Sequence, residues 1–261
     1  MTFEFDGEKY AKASSQQKKW GAGLIAELGL EGHERILDLG CGDGALTAQL
    51  ADCVPQGSAV GLDASRDMLA AARRHQRRNL EFVLQDIDQL DFAAEFDVVF
   101  SNATLHWVKD HERLLANVHR ALKDGGRARF QFAADGNCQR LIRAVQELMA
   151  RPEFIEVFDD FEWPWNMPVI ELYRKLAGRT PFRELRVWGE QADRHFADVE
   201  AMIGWLDQPS LVPFLAHVGG GRTPLGQRFR DAAVELMLER TREADGRHFE
   251  TFRRVNFYAR K

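Results

Sequence analysis

Along the first half of the chain, apolar residues fall into short continuous runs separated by stretches of helical spacing. Ile36-Leu37 with Leu39, Ala59-Val60 with Leu62, Phe82-Val83-Leu84 and Val98-Val99-Phe100 are such runs. Each is too short for a helix and too continuous for a strand with one wet face, which predicts strands covered on both sides at 36–39, 58–63, 80–86 and 96–101. A fifth is expected over Arg127–Phe132, after the turn signal Lys123-Asp-Gly-Gly126. Residues 45–51, 65–73 and 110–122 space their apolar residues as helices do, and Ser65 is placed to cap the second. In front of them, 13–28 opens with serines fit to cap a helix and sets Trp20, Leu24, Ile25 and Leu28 on one face. Strands alternating with helices predict a doubly wound sheet with right-handed crossovers. Arg129 sits badly on a central strand and is expected to find a carboxylate or reach solvent.

The second half is less regular. Residues 137–179 read as helical material interrupted by Pro152, Pro164 and Pro168, with an aromatic cluster of Phe158, Phe161, Trp163 and Trp165. Strand alternation returns at 182–188, helix at 198–242 with breaks at 208–213 and 219–221, and a last strand is expected over 249–258. The organisation predicted is a cofactor-binding half with a leading helix at 1–136, a helical insertion at 137–180, a core strand within 181–196, a second helical insertion at 197–245 and a final core strand within 246–261. The two insertions are expected to cap the strand ends.

Composition narrows the partners. With 45% hydrophobic residues the chain is ordinary globular protein, and no apolar run approaches the roughly 20 residues of a membrane span. The acidic first residues lack the apolar core of a signal peptide, which predicts a cytoplasmic protein. Cys41, Cys53 and Cys138 form no C-x-x-C pair, which argues against a disulfide framework or a structural zinc site. A net charge of −5 argues against nucleic-acid binding, and the basic run Arg73–Arg78 reads as a solvated helix end. A small-molecule substrate and a monomer or weak dimer are expected.

Candidate chemistry concentrates where the first strand meets the first core helix. Asp38-Leu-Gly-Cys-Gly-Asp-Gly44 places Gly40, Gly42 and Gly44 at that junction, where glycine allows positive φ and lets a ligand approach the backbone. The spacing is G-x-G-x-G, not the G-x-G-x-x-G of dinucleotide sites, and Asp38 and Asp43 are poor neighbours for a pyrophosphate. They suit a cation. This stretch resembles the first motif of class I methyltransferases that use S-adenosylmethionine, whose sulfonium and ammonium are both positive. Asp63 ends the neighbouring strand, where a carboxylate can accept both hydroxyls of a ribose, a device shared with NAD enzymes.

The resemblance implies a Rossmann-like, doubly wound, seven-stranded and mostly parallel α/β sheet with helical cap insertions. It also implies S-adenosylmethionine as cofactor, held by Asp38, Gly40, Cys41, Gly42, Gly44, Asp63 and Ala64. Asp86 would meet the adenine amino group and Ile87 the base, with Asp88 and Asp91 as nearby alternatives. Tyr10 would close the pocket from an N-terminal segment folded over the cofactor.

The most specific stretch follows the fourth strand. Ser101-Asn-Ala-Thr-Leu-His-Trp107 stands at the strand end where open parallel sheets bind ligands, and it resembles the same segment of small-molecule methyltransferases of the trans-aconitate methyltransferase type. Asn102 is carried over as a cofactor residue, and His106 and Trp107 as residues at the acceptor. That resemblance implies carboxyl O-methylation of a small organic acid, with arginines among Arg174, Arg179, Arg194, Arg222, Arg253 and Arg254 to clamp it. A carboxylate needs no base, so His106 is expected to orient the acid. The alternatives are a phenol, alcohol or amine acceptor with His106 as base, a regulatory protein that binds the cofactor without turnover, and an NAD-dependent dehydrogenase.

Overall fold

The computed structural model describes residues 3–261, apart from the side chain of Lys12. It divides into two compact units, one of residues 1–135, 165–190 and 254–261 and the other of residues 136–164 and 191–253. Residues 165–190 therefore group with the sheet and not with the insertion expected at 137–180.

In the first unit the strands are β1 (Arg35–Leu39), β2 (Ser58–Asp63), β3 (Leu80–Leu84), β4 (Phe96–Asn102), β5 (Leu122–Ala133), β6 (Glu184–Gln191) and, after two short strands of the second unit, β9 (Arg253–Arg260). Among the described residues they form one seven-stranded sheet in the order β3-β2-β1-β4-β5-β9-β6. The first five pair in parallel, and β9 runs antiparallel to β5. Buried Ile36, Leu37, Leu39, Val98, Val99 and Phe100 fill the centre of the sheet, as their continuous runs require. The covering helices are α1 (Gly7–Ala13), α2 (Ser15–Glu27), α3 (Ala45–Cys53), α4 (Arg66–Ala72), α5 (His111–Ala121) and, later in the chain, α7 (Ile170–Ala177).

Several expectations need correction. The leading helix is two helices broken at Ser14, whose hydroxyl makes no cap hydrogen bond. The cap of α1 is Asp6, which accepts from Lys9 N. β5 begins at Leu122, so the Lys123–Gly126 turn signal lies inside the strand, at a register shift against β4. Arg129 does find its carboxylate: Glu27 accepts from Nε and Nη2, Asn256 also accepts from Nη2, and Trp188 lies under the guanidinium.

The second unit holds α6 (Gln139–Met149), α8 (Val199–Trp205), α9 (Val212–His217), α10 (Pro224–Thr241), and the short antiparallel pair β7 (Arg194–Phe196) and β8 (His248–Glu250). The last strand predicted at 249–258 is thus two strands, separated at Thr251-Phe252. The reason is Glu250: fully buried, it accepts backbone N–H groups of Arg140, Leu141 and Thr251. That satisfies otherwise orphaned donors at the start of α6. Phe154, Phe158, Phe161, Phe214 and Phe229 form the aromatic core of this unit. Trp165, which belongs to the first unit, packs against Trp107.

Candidate active site at the carboxyl ends of β1 to β4

The order β3-β2-β1-β4 reverses direction at β1, so the loops after β1 and β4 diverge there and open a crevice. The turn 40–44, Asp63 to Ser65, Asp86-Ile87 and the loop 102–107 all follow carboxyl ends of parallel strands. The motif residues predicted from sequence are thereby collected on one edge of the sheet.

Within the turn the glycines have different reasons to be glycine. A side chain on Gly40 would lie 2.1 Å from Thr104 Cγ2, and one on Gly44 2.7 Å from Phe82. Their bare faces meet protein, which corrects the expectation that all three expose backbone to a ligand. Gly42 has φ of +54° and a Cβ there would meet the Tyr10 ring at 3.6 Å. Gly40 N and Cys41 N both donate to Leu62 O, tying the turn to β2. Buried Cys41 packs beside Gly61, and burial raises its thiol pKa.

The acids also divide. Asp43 is ion-paired with Lys18 at 2.7 Å and with Arg74 at 3.6 Å, so its charge is already answered within the protein. Asp38 is buried and accepts from Thr47 Oγ1 at 2.7 Å, and desolvation raises its pKa to about 7. Asp63 accepts Ser65 N on one oxygen and Gly42 N on the other, each at 2.9 Å, so both oxygens keep acceptor capacity. Burial raises its pKa against those two N–H groups. Ala64 lies between Asp63 and the Ser65 cap of α4. Asp86 caps the short turn 87–89, and Ile87 is buried below it.

Past β4, Asn102 donates through Nδ2 to Gln17 O, while Asn102 Oδ1 and Gln17 Oε1 are buried without a hydrogen-bond partner among the described residues. Orphaned acceptors cost free energy unless a ligand or water supplies a donor. Together with the spare lone pairs of Asp63 they fit a ligand that brings hydroxyl and ammonium groups, as S-adenosylmethionine does. His106 is half-buried, its Nδ1 is shielded and partnerless among the described residues, and burial lowers its pKa to about 3. Trp107 packs against His106, Phe3, Phe5 and Trp165. Glu4 accepts from Ser65 Oγ at 2.8 Å, so the segment 3–10 lies across the loops after β1, β2 and β4.

Residues that sequence reasoning missed act through these contacts. Thr104 donates to Gly40 O and joins the two loops. Lys18 and Arg74 neutralise Asp43. Arg254, one of the arginines offered from sequence for the acid, is buried and places its guanidinium 4.8 Å over Trp20. Among the described residues no cluster of His, Cys, Asp and Glu is placed to hold a metal, and no helix is long and apolar enough to cross a membrane.

A methyltransferase-domain family matches residues 36–126, from β1 into the turn within β5. The trans-aconitate 2-methyltransferase of Acidovorax ebreus is 30% identical over 267 positions, covering 99% of this chain and 98% of that protein. That of Deinococcus radiodurans is 44% identical over 191 residues, 72% of this chain and 73% of the relative. Among solved structures, the YcgJ protein of Bacillus subtilis superposes with a TM-score of 0.62 at 14% identity, covering 94% of this chain and 98% of that one. Phosphoethanolamine N-methyltransferase 2 of Haemonchus contortus, in complex with S-adenosyl-L-methionine, gives 0.62 at 19% identity, this chain covering 56% of its length. The structural likenesses bear on fold alone; the sequence relatives, matched over 99% and 72% of this chain, decide the family. The chain belongs to the class I methyltransferases of the trans-aconitate type, enzymes whose methyl donor is S-adenosylmethionine.

Proposed function

We propose that this enzyme methylates a carboxylate of a small organic acid. The observation that carries the reading is the setting of His106: half-buried, with its Nδ1 shielded and without a hydrogen-bond partner among the described residues, and with its pKa lowered to about 3 by burial, it is a poor proton acceptor at neutral pH. A phenol or ammonium must lose a proton before it can attack, whereas a carboxylate, with a reference pKa near 4, arrives ready. The relatives' name, trans-aconitate 2-methyltransferase, makes trans-aconitate the first acceptor to try.

When bound, S-adenosylmethionine supplies an electrophilic methyl group on a leaving sulfur. In this reading Asp63 takes the ribose hydroxyls on the lone pairs its backbone donors leave free. Asp86 takes the adenine amino group, and Ile87 packs on the base. Asn102 Oδ1 and Gln17 Oε1 accept from the ammonium, and Asp38 adds negative potential. Tyr10 closes over Gly42. His106 and Trp107 orient the acceptor, and Phe3 and Phe5 keep water from Trp107. Alignment and exclusion of water are what a displacement of this kind asks of a protein.

The test is incubation with labelled S-adenosylmethionine and a panel of trans-aconitate, other di- and tricarboxylates, phenols and amines, with product masses read out. A base-labile methyl ester from an acid supports the reading. Turnover confined to phenols or amines overturns it.

A further inference from the structure

The loop after β4 is held by a buried polar pair that the chemistry above does not use. His111, the first residue of α5, and Tyr173 on α7 are 3% and 2% exposed. The imidazole forms a triangle with the rings of Phe132 and Tyr173, each 5.2 Å away from it and 5.3 Å from one another. Its Nε2 is 3.0 Å from Leu105 O, and its Nδ1 is 3.0 Å from the Tyr173 hydroxyl.

For a neutral ring, the contacts to Leu105 and Tyr173 fit one arrangement of protons. A carbonyl can only accept, so Nε2 carries the hydrogen. Burial keeps the ring neutral, lowering its pKa to about 4, so Nδ1 is bare and must accept. The donor is Tyr173, whose phenol burial holds in its protonated form. The chain therefore runs Tyr173 O–H to His111 Nδ1, and His111 Nε2–H to the Leu105 carbonyl.

Leu105 immediately precedes His106, whose own carbonyl accepts Asn166 N at 2.7 Å. Asn166 Nδ2 also donates to Lys109 O, and Thr104 fixes the other end of the loop on Gly40 O. The same loop holds Ala103 at φ of +58°, a conformation that non-glycine residues seldom adopt and that clusters at functional sites. A core needing only volume beside Phe132 and Tyr173 could use an apolar side chain. Replacing both partners of a buried hydrogen bond by apolar groups of similar shape is often nearly neutral for stability. What an apolar pair cannot do is hold Leu105 O in a fixed direction.

We propose that Tyr173 and His111 are positioning residues for methyl transfer: the phenol sets the imidazole tautomer, and the imidazole fixes the Leu105 carbonyl and with it His106 and Trp107. The proposal rests on the reading that this loop meets the acceptor, but two of its tests need no acceptor.

Long-range proton–nitrogen NMR of the wild-type protein should show His111 as the Nε2–H tautomer; the Nδ1–H form overturns the proposal. Amide hydrogen exchange at 104–109 should be about tenfold faster in the double variant His111→Leu/Tyr173→Phe, from local openings that global stability does not set. Unchanged exchange there overturns it. With trans-aconitate as acceptor, the double variant should lose ~30-fold or more in kcat, since a misplacement near 1 Å can cost about 100-fold. His111→Gln, which keeps a donor for Leu105 O, should recover most of that loss. KM for S-adenosylmethionine should move less than about twofold, because the turn 40–44 and Asp63 are untouched. Equal losses in His111→Gln and the double variant, or losses appearing in cofactor KM, mark a structural role and overturn the proposal. If wild type ignores trans-aconitate, the acceptor assignment fails while the tautomer and exchange tests still decide this one.

Discussion

The turn after β1 and the loop after β4 face the same edge of the sheet, yet they are built on opposite electrostatic plans. Around the turn, Asp38 and Asp63 are acids kept in place by Thr47, Gly42 and Ser65, with acceptor capacity to spare. The loop offers a neutral imidazole, an indole and a cluster of rings. Acids suit a ligand that brings cations and hydroxyls. A neutral aromatic surface suits an anion that must be desolvated before it attacks, because a nearby carboxylate would repel it. On the function proposed, two jobs of opposite charge would be kept apart by placing them on different strands, and Thr104 on Gly40 O is the physical joint between the two loops.

Breaking that joint should have the largest effect. Gly40→Ala puts a methyl group 2.1 Å from Thr104 Cγ2 at a φ of +72°, so overpacking and backbone strain add. We expect a loss of about 3 kcal/mol or more in stability, measured by urea unfolding. The pair Gly40→Ala/Thr104→Ala should return the steric part and leave a cost of about 2 kcal/mol for the positive φ and the lost Thr104 hydrogen bond. If the double variant is as unstable as the single one, Thr104 is not what Gly40 accommodates.

The acids can be set against each other next. Asp63→Ala should weaken S-adenosylmethionine binding by roughly 1 to 3 kcal/mol, the cost of leaving buried hydroxyls unpaired, with NAD unbound by either form. Titration calorimetry reads both. A wild-type affinity in Asp63→Ala would remove that carboxylate from the site. Asp38→Asn acts on stability in the other direction. With an ordinary pKa of 3.8 unfolded and about 7 folded, Asp38 binds more protons in the folded state between those values. Its burial therefore erodes stability as pH rises through that window, fully so above it. The ligand-free Asn variant should match wild type near pH 4 and be more stable at pH 8 by about 1 to 2 kcal/mol, under the ceiling of about 1.4 kcal/mol per pKa unit. Thermal unfolding across that range checks it, and a gap independent of pH would refute the cause given.

The same comparison explains what the sequence made legible. The glycine turn, Asp63 and the loop after β4 could be singled out and placed at strand ends because a strand that runs into a glycine turn or ends in an acid leaves a local signature of residue types and spacing. Asp43 misled for the same reason: its neighbours in sequence gave no hint of Lys18 or Arg74, which arrive from other helices. Helical periodicity says which face is buried but not against what. It thus could not show Gly40 seated against Thr104. The break at Ser14 and the three-residue strands β7 and β8 were invisible because one turn or one ladder rung is too short to register a period.

The smallest effect is expected at His106, and it decides between acceptors. A ring whose pKa falls from 6.5 to about 3 stays neutral across the range in which the enzyme works. If the acceptor is a carboxylate, the chemical step should show no limb from acceptor or His106 deprotonation between about pH 6 and 9, since neither titrates there. His106→Gln should then slow single turnovers by less than about tenfold, through alignment alone. The ring still leaves a mark on stability. In the unfolded chain His106 gains a proton below its ordinary pKa of 6.5, while the folded chain resists, so its burial costs nothing above that pH and destabilises progressively as pH falls toward 3. His106→Gln should therefore flatten the acid limb of stability while barely touching the rate. The opposite pattern, a loss of about 100-fold in rate recovered at high pH, would make His106 a base of ordinary strength and move the acceptor to a phenol, alcohol or amine.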